Sequence, residues 1–100
     1  MTSNNKKHIK ASITAVGGYL PEDSISNKDL EAMVDTNDEW IRARTGIKKR
    51  RVLKEKGKGT SYLAVNSANN LIARKKIDPT TIDLVIVATI TPDFHCASTA

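Results

Sequence analysis

Asp83–Ile90 reads Asp-Leu-Val-Ile-Val-Ala-Thr-Ile, almost continuously apolar and rich in β-branched residues. A strand with one wet face alternates polar and apolar positions. An unbroken run like this one predicts a central strand covered by helices on both faces. That requirement sets the architecture. A lone strand cannot bury itself, so the rest of the 100 residues must supply further strands and helical layers, or the chain is a piece of something larger. The second is the expectation, because the chain stops ten residues after Ile90 and Ser98-Thr99-Ala100 reads as the opening of a helix that does not follow.

The remaining elements follow from periodicity and stop signals. Residues 1–7 are polar and are expected to form a disordered tail ahead of one domain at 8–100. His8–Val16 alternates, with Ile9, Ala11, Ile13 and Ala15 on one face and Lys10, Ser12 and Thr14 on the other, which predicts a half-buried strand broken by Gly17-Gly18. Ser26-Asn27-Lys28-Asp29 fits a capping box, with Leu30, Met33 and Val34 following on one helical face. Thr36-Asn37-Asp38-Glu39 reads as a second box with Thr36 as the cap, opening a helix that runs to about Thr45 and stops at Gly46. Ile47–Leu53 holds four consecutive cations and predicts an exposed or edge strand. Thr60 or Ser61 caps the longest helix, which carries Leu63, Ala64, Ser67, Ala68, Leu71 and Ile72 at helical spacing, Arg74, Lys75 and Lys76 at its negative end, and Pro79 just beyond. This is an α/β order. Ligand sites in such folds lie beyond the carboxyl ends of the strands, which draws attention to Thr91–Ala97 and to the helix of Trp40.

Charge is placed unevenly. Arg42 to Lys58 holds nine basic residues and one acid, Glu55, a local +8 within a net +5, so the rest of the chain carries −3. A local excess points to an anionic ligand at one place, or for Lys54–Lys58 to a solvated loop, rather than to a generally basic protein. The longest apolar run is far too short to span a bilayer, and the N-terminal residues lack a secretory apolar region. One cysteine, Cys96, makes no intrachain disulfide, and a reducing, cytoplasmic setting fits.

The chemistry-bearing residues are few. His8, His95 and Cys96 lack metal-ligand spacing, so no metal site is expected, and no phosphate-cradling glycine loop is present. His95 and Cys96 are sequence neighbours, a poor nucleophile–base pair on an extended chain, so a small buried or pocket-lining side chain is the better account of Cys96. Trp40 and Arg44 stand four apart on a predicted helix and share a face. An indole and a guanidinium so placed hold a flat aromatic ring between them, with Arg44 and the cations after it meeting attached phosphates. The plainer alternative is a Trp in the core and an Arg in an ordinary surface ion pair.

The run Val34-Asp-Thr-Asn-Asp-Glu-Trp-Ile-Arg-Ala-Arg-Thr-Gly-Ile47 resembles a motif near the N-terminus of β-ketoacyl-acyl carrier protein synthase III, a thiolase-like condensing enzyme family. Gly17–Pro21, Asn27–Leu30, Ala64–Ala73 and Ile82–Asp93 agree in order and spacing, so the resemblance covers nearly everything from Ile9 onward. It implies the first part of the N-terminal half of a thiolase-like α/β fold. It also implies an acyltransferase that condenses an acyl-coenzyme A starter with malonyl-acyl carrier protein in fatty acid or related biosynthesis, as a homodimer, with acyl-coenzyme A as substrate and no separate cofactor. By the same resemblance Trp40 and Arg44 hold the adenine end of coenzyme A with Thr36 nearby, and Phe94, His95 and Cys96 form an acyl-pocket loop at the dimer interface. The family's nucleophilic cysteine and its histidine and asparagine lie further along, so no catalytic residue is assigned here and these residues alone are expected to be inactive. Where many members have Phe-Pro before a Ser or Thr, this chain has Cys96-Ala97 before Ser98. That change implies a larger pocket and a longer or branched starter.

Two other classes compete. A nucleic-acid-binding module would use residues 42–58, but the chain has four aromatic residues and no recognised reader motif. A non-catalytic structural fragment is the other. The expected partners are therefore acyl-coenzyme A, malonyl-acyl carrier protein and a second copy of the chain, with neither nucleic acid nor membrane.

Overall fold

The structure, a computed structural model, describes residues 7–95 and 99–100. The expected tail, apart from Lys7, and Cys96 to Ser98 lie outside the described residues. Two short strands, β1 (Ser24–Ser26) and β2 (Lys49–Arg51), pair antiparallel, with Ser24 opposite Arg51, Ile25 opposite Arg50 and Ser26 opposite Lys49. β2 falls inside the predicted edge strand. β1 is too short to show any alternation.

Three helices follow from their caps. α1 (Asn27–Glu31) opens on the predicted box: Asp29 N–H donates to Ser26 Oγ at 3.1 Å, and Ser26 N–H donates to Asp29 Oδ2 at 2.8 Å. It ends at Ala32, where the Leu30 carbonyl takes the amides of both Met33 and Val34 in a closing turn. Met33 and Val34 therefore lie beyond the helix and are exposed, not on its buried face. α2 (Asp38–Thr45) stops at Gly46 as expected, with φ +70° in the left-handed region that glycine reaches freely. Its cap is Asn37, not Thr36. Asn37 is extended and its side chain accepts from Trp40 N–H at 2.8 Å, while Glu31 Oε1 takes the amide of Asp38.

α3 (Thr60–Lys75) starts where predicted, but neither Thr60 nor Ser61 caps it. Gly59 is the cap residue, and the Asp93 carboxylate substitutes for a side chain that Gly59 lacks, accepting from Ser61 N–H at 3.1 Å. A Cβ at Gly59 would lie 2.5 Å from Asp93 Oδ1. The segment Gly17–Tyr19 docks on α3. Asn70 Nδ2 donates to the Gly18 carbonyl at 2.9 Å, and the Tyr19 and Tyr62 rings meet edge to face at 6.0 Å.

The two long predicted strands are corrections. Among the described residues neither His8–Val16 nor Asp83–Ile90 pairs into a ladder, and Ile86 and Ile90 are 80% and 98% exposed. Apolarity marks a segment that needs cover, but a strand exists only where a neighbour supplies hydrogen bonds. Ile41, 8% exposed, is the buried aliphatic residue of the described part. The radius of gyration is 19.9 Å, against about 13 Å for a compact domain of this length.

Candidate functional site

α2 presents Trp40 and Arg44 together on its outer face, as the spacing predicts. Arg44 Cζ stands 4.7 Å from the centre of the Trp40 ring, and Trp40 is 53% exposed. Trp40 is thus not a core residue, and Arg44 is engaged by an indole, not by a carboxylate. The pair differs from the expected clamp in one respect. A separation of 4.7 Å is a single stacking contact, with no room for a third ring between indole and guanidinium. What remains is a half-exposed indole backed by a cation.

The start of α2 is held by polar contacts. Asp38 Oδ1 accepts from the Asn27 side chain at 2.8 Å, and Asp38 Oδ2 pairs along the helix surface with Arg42 Nε at 2.9 Å. Asn27 is 1% exposed and also bonds Ile47 and Arg50. Sequence places Asn27 in the Asn27–Leu30 motif and Arg50 in the basic stretch but assigns neither this role: Asn27 reads as an ordinary first helical residue, and its partners are distant in the chain. Thr45 Oγ1 bonds the Ile41 carbonyl at 2.7 Å and receives the Ile47 amide, which closes the helix end.

The basic stretch is largely spent on the fold. Arg42 pairs with Asp38, and Arg44 stacks on Trp40. Arg50 donates to the Ile25 carbonyl and to Asn27, and Arg51 to the carbonyls of Pro21 and Glu22 at 3.0 and 2.9 Å. Lys58 pairs with Glu55 and lies 4.1 Å over the Tyr62 ring, and the Glu55 partner pushes its ammonium pKa up. Among the described residues only Arg42 and Lys58 of this stretch meet a carboxylate, so the others keep their positive charge while Arg44, Arg50 and Arg51 have their direction fixed by the fold.

Of the second place expected to matter, Thr91–Ala97, the part Thr91–Asp93 packs at the start of α3. Thr60 Oγ1 bonds the Thr91 carbonyl, and Asp93 receives Ser61. Phe94 lines an open pocket of about 660 Å³ with Lys58, Tyr62, Val65 and Asp93. His95 is exposed. The hydrogen bonds from Ser61 hold the Asp93 carboxyl below the usual carboxylate range. A lowered folded-state pKa means that this contact is fully present above the unfolded value, near 4, and is lost as the pH falls through the lowered one. In the intact protein the Ser61 amide resonance is expected to titrate with Asp93 below about pH 4. Asp93→Asn, which keeps an acceptor, should remove that titration while leaving the amide bonded; a pH-independent Ser61 shift in the unsubstituted protein would rule this out.

No family model matches the chain. Individual proteins do. The β-ketoacyl-acyl carrier protein synthase III of Porphyromonas gingivalis strain W83 is 61% identical over 92 residues, which is 92% of this chain and 28% of that protein. The chain is a relative of the β-ketoacyl-acyl carrier protein synthases III. The synthase III of Chlorobium chlorochromatii is 54% identical over the same share of each chain. Among solved structures, 3-oxoacyl-acyl carrier protein synthase III from Aquifex aeolicus superposes with a TM-score of 0.75 at 44% identity, covering 86% of this chain and 27% of that one. Synthase III from Thermus thermophilus gives 0.74 at 45%, covering 90% and 28%. The chain thus spans about 28% of the length of the curated synthase III relatives it matches, and over that span its backbone has their thiolase-like α/β fold.

Proposed function

We propose that this chain is the part of a synthase III-type acyltransferase that binds the nucleotide end of coenzyme A, within an enzyme condensing an acyl-coenzyme A starter with malonyl-acyl carrier protein in fatty acid or related biosynthesis. The observation that carries the reading is the exposed Trp40 ring backed by the Arg44 guanidinium on α2. Such a pair offers a flat apolar face for adenine beside a fixed positive charge for phosphate, and the guanidinium is held in place before any ligand arrives. Thr36 lies two residues before α2, at its positive end. The loop of Phe94, His95 and Cys96 borders the acyl chain in this reading, and the enzyme works as a cytoplasmic homodimer with acyl-coenzyme A as substrate and no separate cofactor. Its nucleophile, base and oxyanion donors come from outside these residues, so the chain alone condenses nothing.

The test uses the full-length enzyme. Trp40→Ala and Arg44→Ala are each expected to weaken coenzyme A substrates by about 1–3 kcal/mol, seen mainly in KM. A short acyl thioester of N-acetylcysteamine, which lacks the nucleotide, should be affected little. Equal losses for both substrates would remove the nucleotide from the account.

A further inference from the structure

We infer that Asn27 is a positioning residue for coenzyme A binding: its one buried amide holds both ends of α2 and so fixes where Trp40 and Arg44 point. The inference rests on the reading of that pair as a nucleotide site.

α2 needs such support. Eight residues make about two turns, and isolated helices below roughly 12–15 residues are marginal in water. Its outer face is exposed and free of packing, and its inner face contributes one buried aliphatic side chain, Ile41. Orientation therefore has to come from its ends. Asn27 Nδ2 donates to Asp38 Oδ1 at 2.8 Å, on the first residue of α2, and to the Ile47 carbonyl at 2.7 Å, one residue past the Gly46 cap. Arg50 Nη2 donates to Asn27 Oδ1 at 2.8 Å, and the backbone N–H of Asn27 donates to the Lys48 carbonyl at 3.0 Å. The group is fully buried, and both its polar side-chain atoms are satisfied.

Few side chains can replace it. The site asks for two donated hydrogens and one accepting oxygen on a short planar group. Aspartate has no hydrogen to give and would face the Asp38 carboxylate. Alanine leaves Asp38, the Ile47 carbonyl and Arg50 without this partner at a part-buried site. Either change removes one side-chain tie from each end of α2 at once. A displacement of about 1 Å at a binding group is enough to cost on the order of 100-fold in rate.

The experiment compares acetyl-coenzyme A with acetyl-N-acetylcysteamine on the full-length enzyme carrying Trp40→Ala, Asn27→Ala, Asn27→Asp, or Asn27→Asp with Asp38→Asn. Asn27→Ala is expected to raise KM for acetyl-coenzyme A by about 30-fold, the scale of losing the two of its three hydrogen bonds that hold the ends of α2, and KM for the short thioester by less than about threefold. Asn27→Asp should be as damaging. Adding Asp38→Asn should recover part of the acetyl-coenzyme A affinity, because the exchanged amide then donates to the exchanged carboxylate. That comparison carries the test if Asn27→Ala does not fold, and no recovery overturns the inference. Equal KM changes for both substrates in Asn27→Ala overturn it as well, since a general structural role would do that. If Trp40→Ala is selective for the nucleotide and Asn27→Ala is not, the inference alone falls. If Trp40→Ala is itself unselective, the nucleotide reading falls and takes the inference with it.

Discussion

Expressed by itself, the 100-residue chain is expected to self-associate and to melt without a cooperative transition. The reason is the surface it leaves in water. Ile9, Ile13, Leu84, Val85, Ile86 and Ile90 are all exposed, in two runs that no ladder pairs among the described residues. Burying such a side chain is worth about 1.5–3 kcal/mol. Leaving six of them uncovered withholds roughly 10 kcal/mol or more, as much as the net stability of a typical domain. The same runs combine β-branched side chains with few charges, the composition that pairs edge to edge between molecules. Sedimentation and calorimetry on the isolated chain decide the matter: a monomer with one sharp, reversible melt would contradict the expectation.

A second large effect is expected at Gly17. A Cβ placed there would lie 2.7 Å from Leu71 Cβ, 3.0 Å from the Ser67 carbonyl oxygen and 3.1 Å from Leu71 Cα. Two of those three atoms are backbone of α3, which cannot rotate aside. Gly17→Ala in the intact protein should therefore cost about 1–3 kcal/mol, and Gly17→Val more, by prising the Gly17–Tyr19 segment from the helix. Gly18 is the internal control. A Cβ there meets nothing within 4 Å, so Gly18→Ala should stay within about 0.5 kcal/mol. Chemical denaturation of both variants tests this, and equal stabilities would mean that α3 yields at no cost.

What was legible in the sequence was whatever depends on near neighbours. The Ser26 box, the Gly46 stop and the extent of α3 were read correctly because each signal is completed within a few residues. The shared face of Trp40 and Arg44 follows from helical spacing alone. The cap of α2 slipped by one residue because Thr36 and Asn37 are both good caps, and only backbone geometry separates them. Distant partners were out of reach. Asp93 capping α3 from 32 residues away, β1 finding β2, and Asn27 meeting Ile47 and Arg50 all join segments that no local pattern links. The expectation of a paired strand at Asp83–Ile90 failed for a related reason: its apolarity announces a need for neighbours without saying where they are.

The small ladder between β1 and β2 has a kinetic consequence. It is flanked by a bond from the Val52 amide to the Asp23 carbonyl and by one from the Asn27 amide to the Lys48 carbonyl, so residues 27–48 form a closed excursion tied at its base. Everything that orients Trp40 lies inside that excursion or at its neck. Closing one loop of this length costs far less entropy than assembling a sheet from distant strands, and short sequence separations favour fast formation. During synthesis, this unit has all its own contacts as soon as residue 52 has left the ribosome.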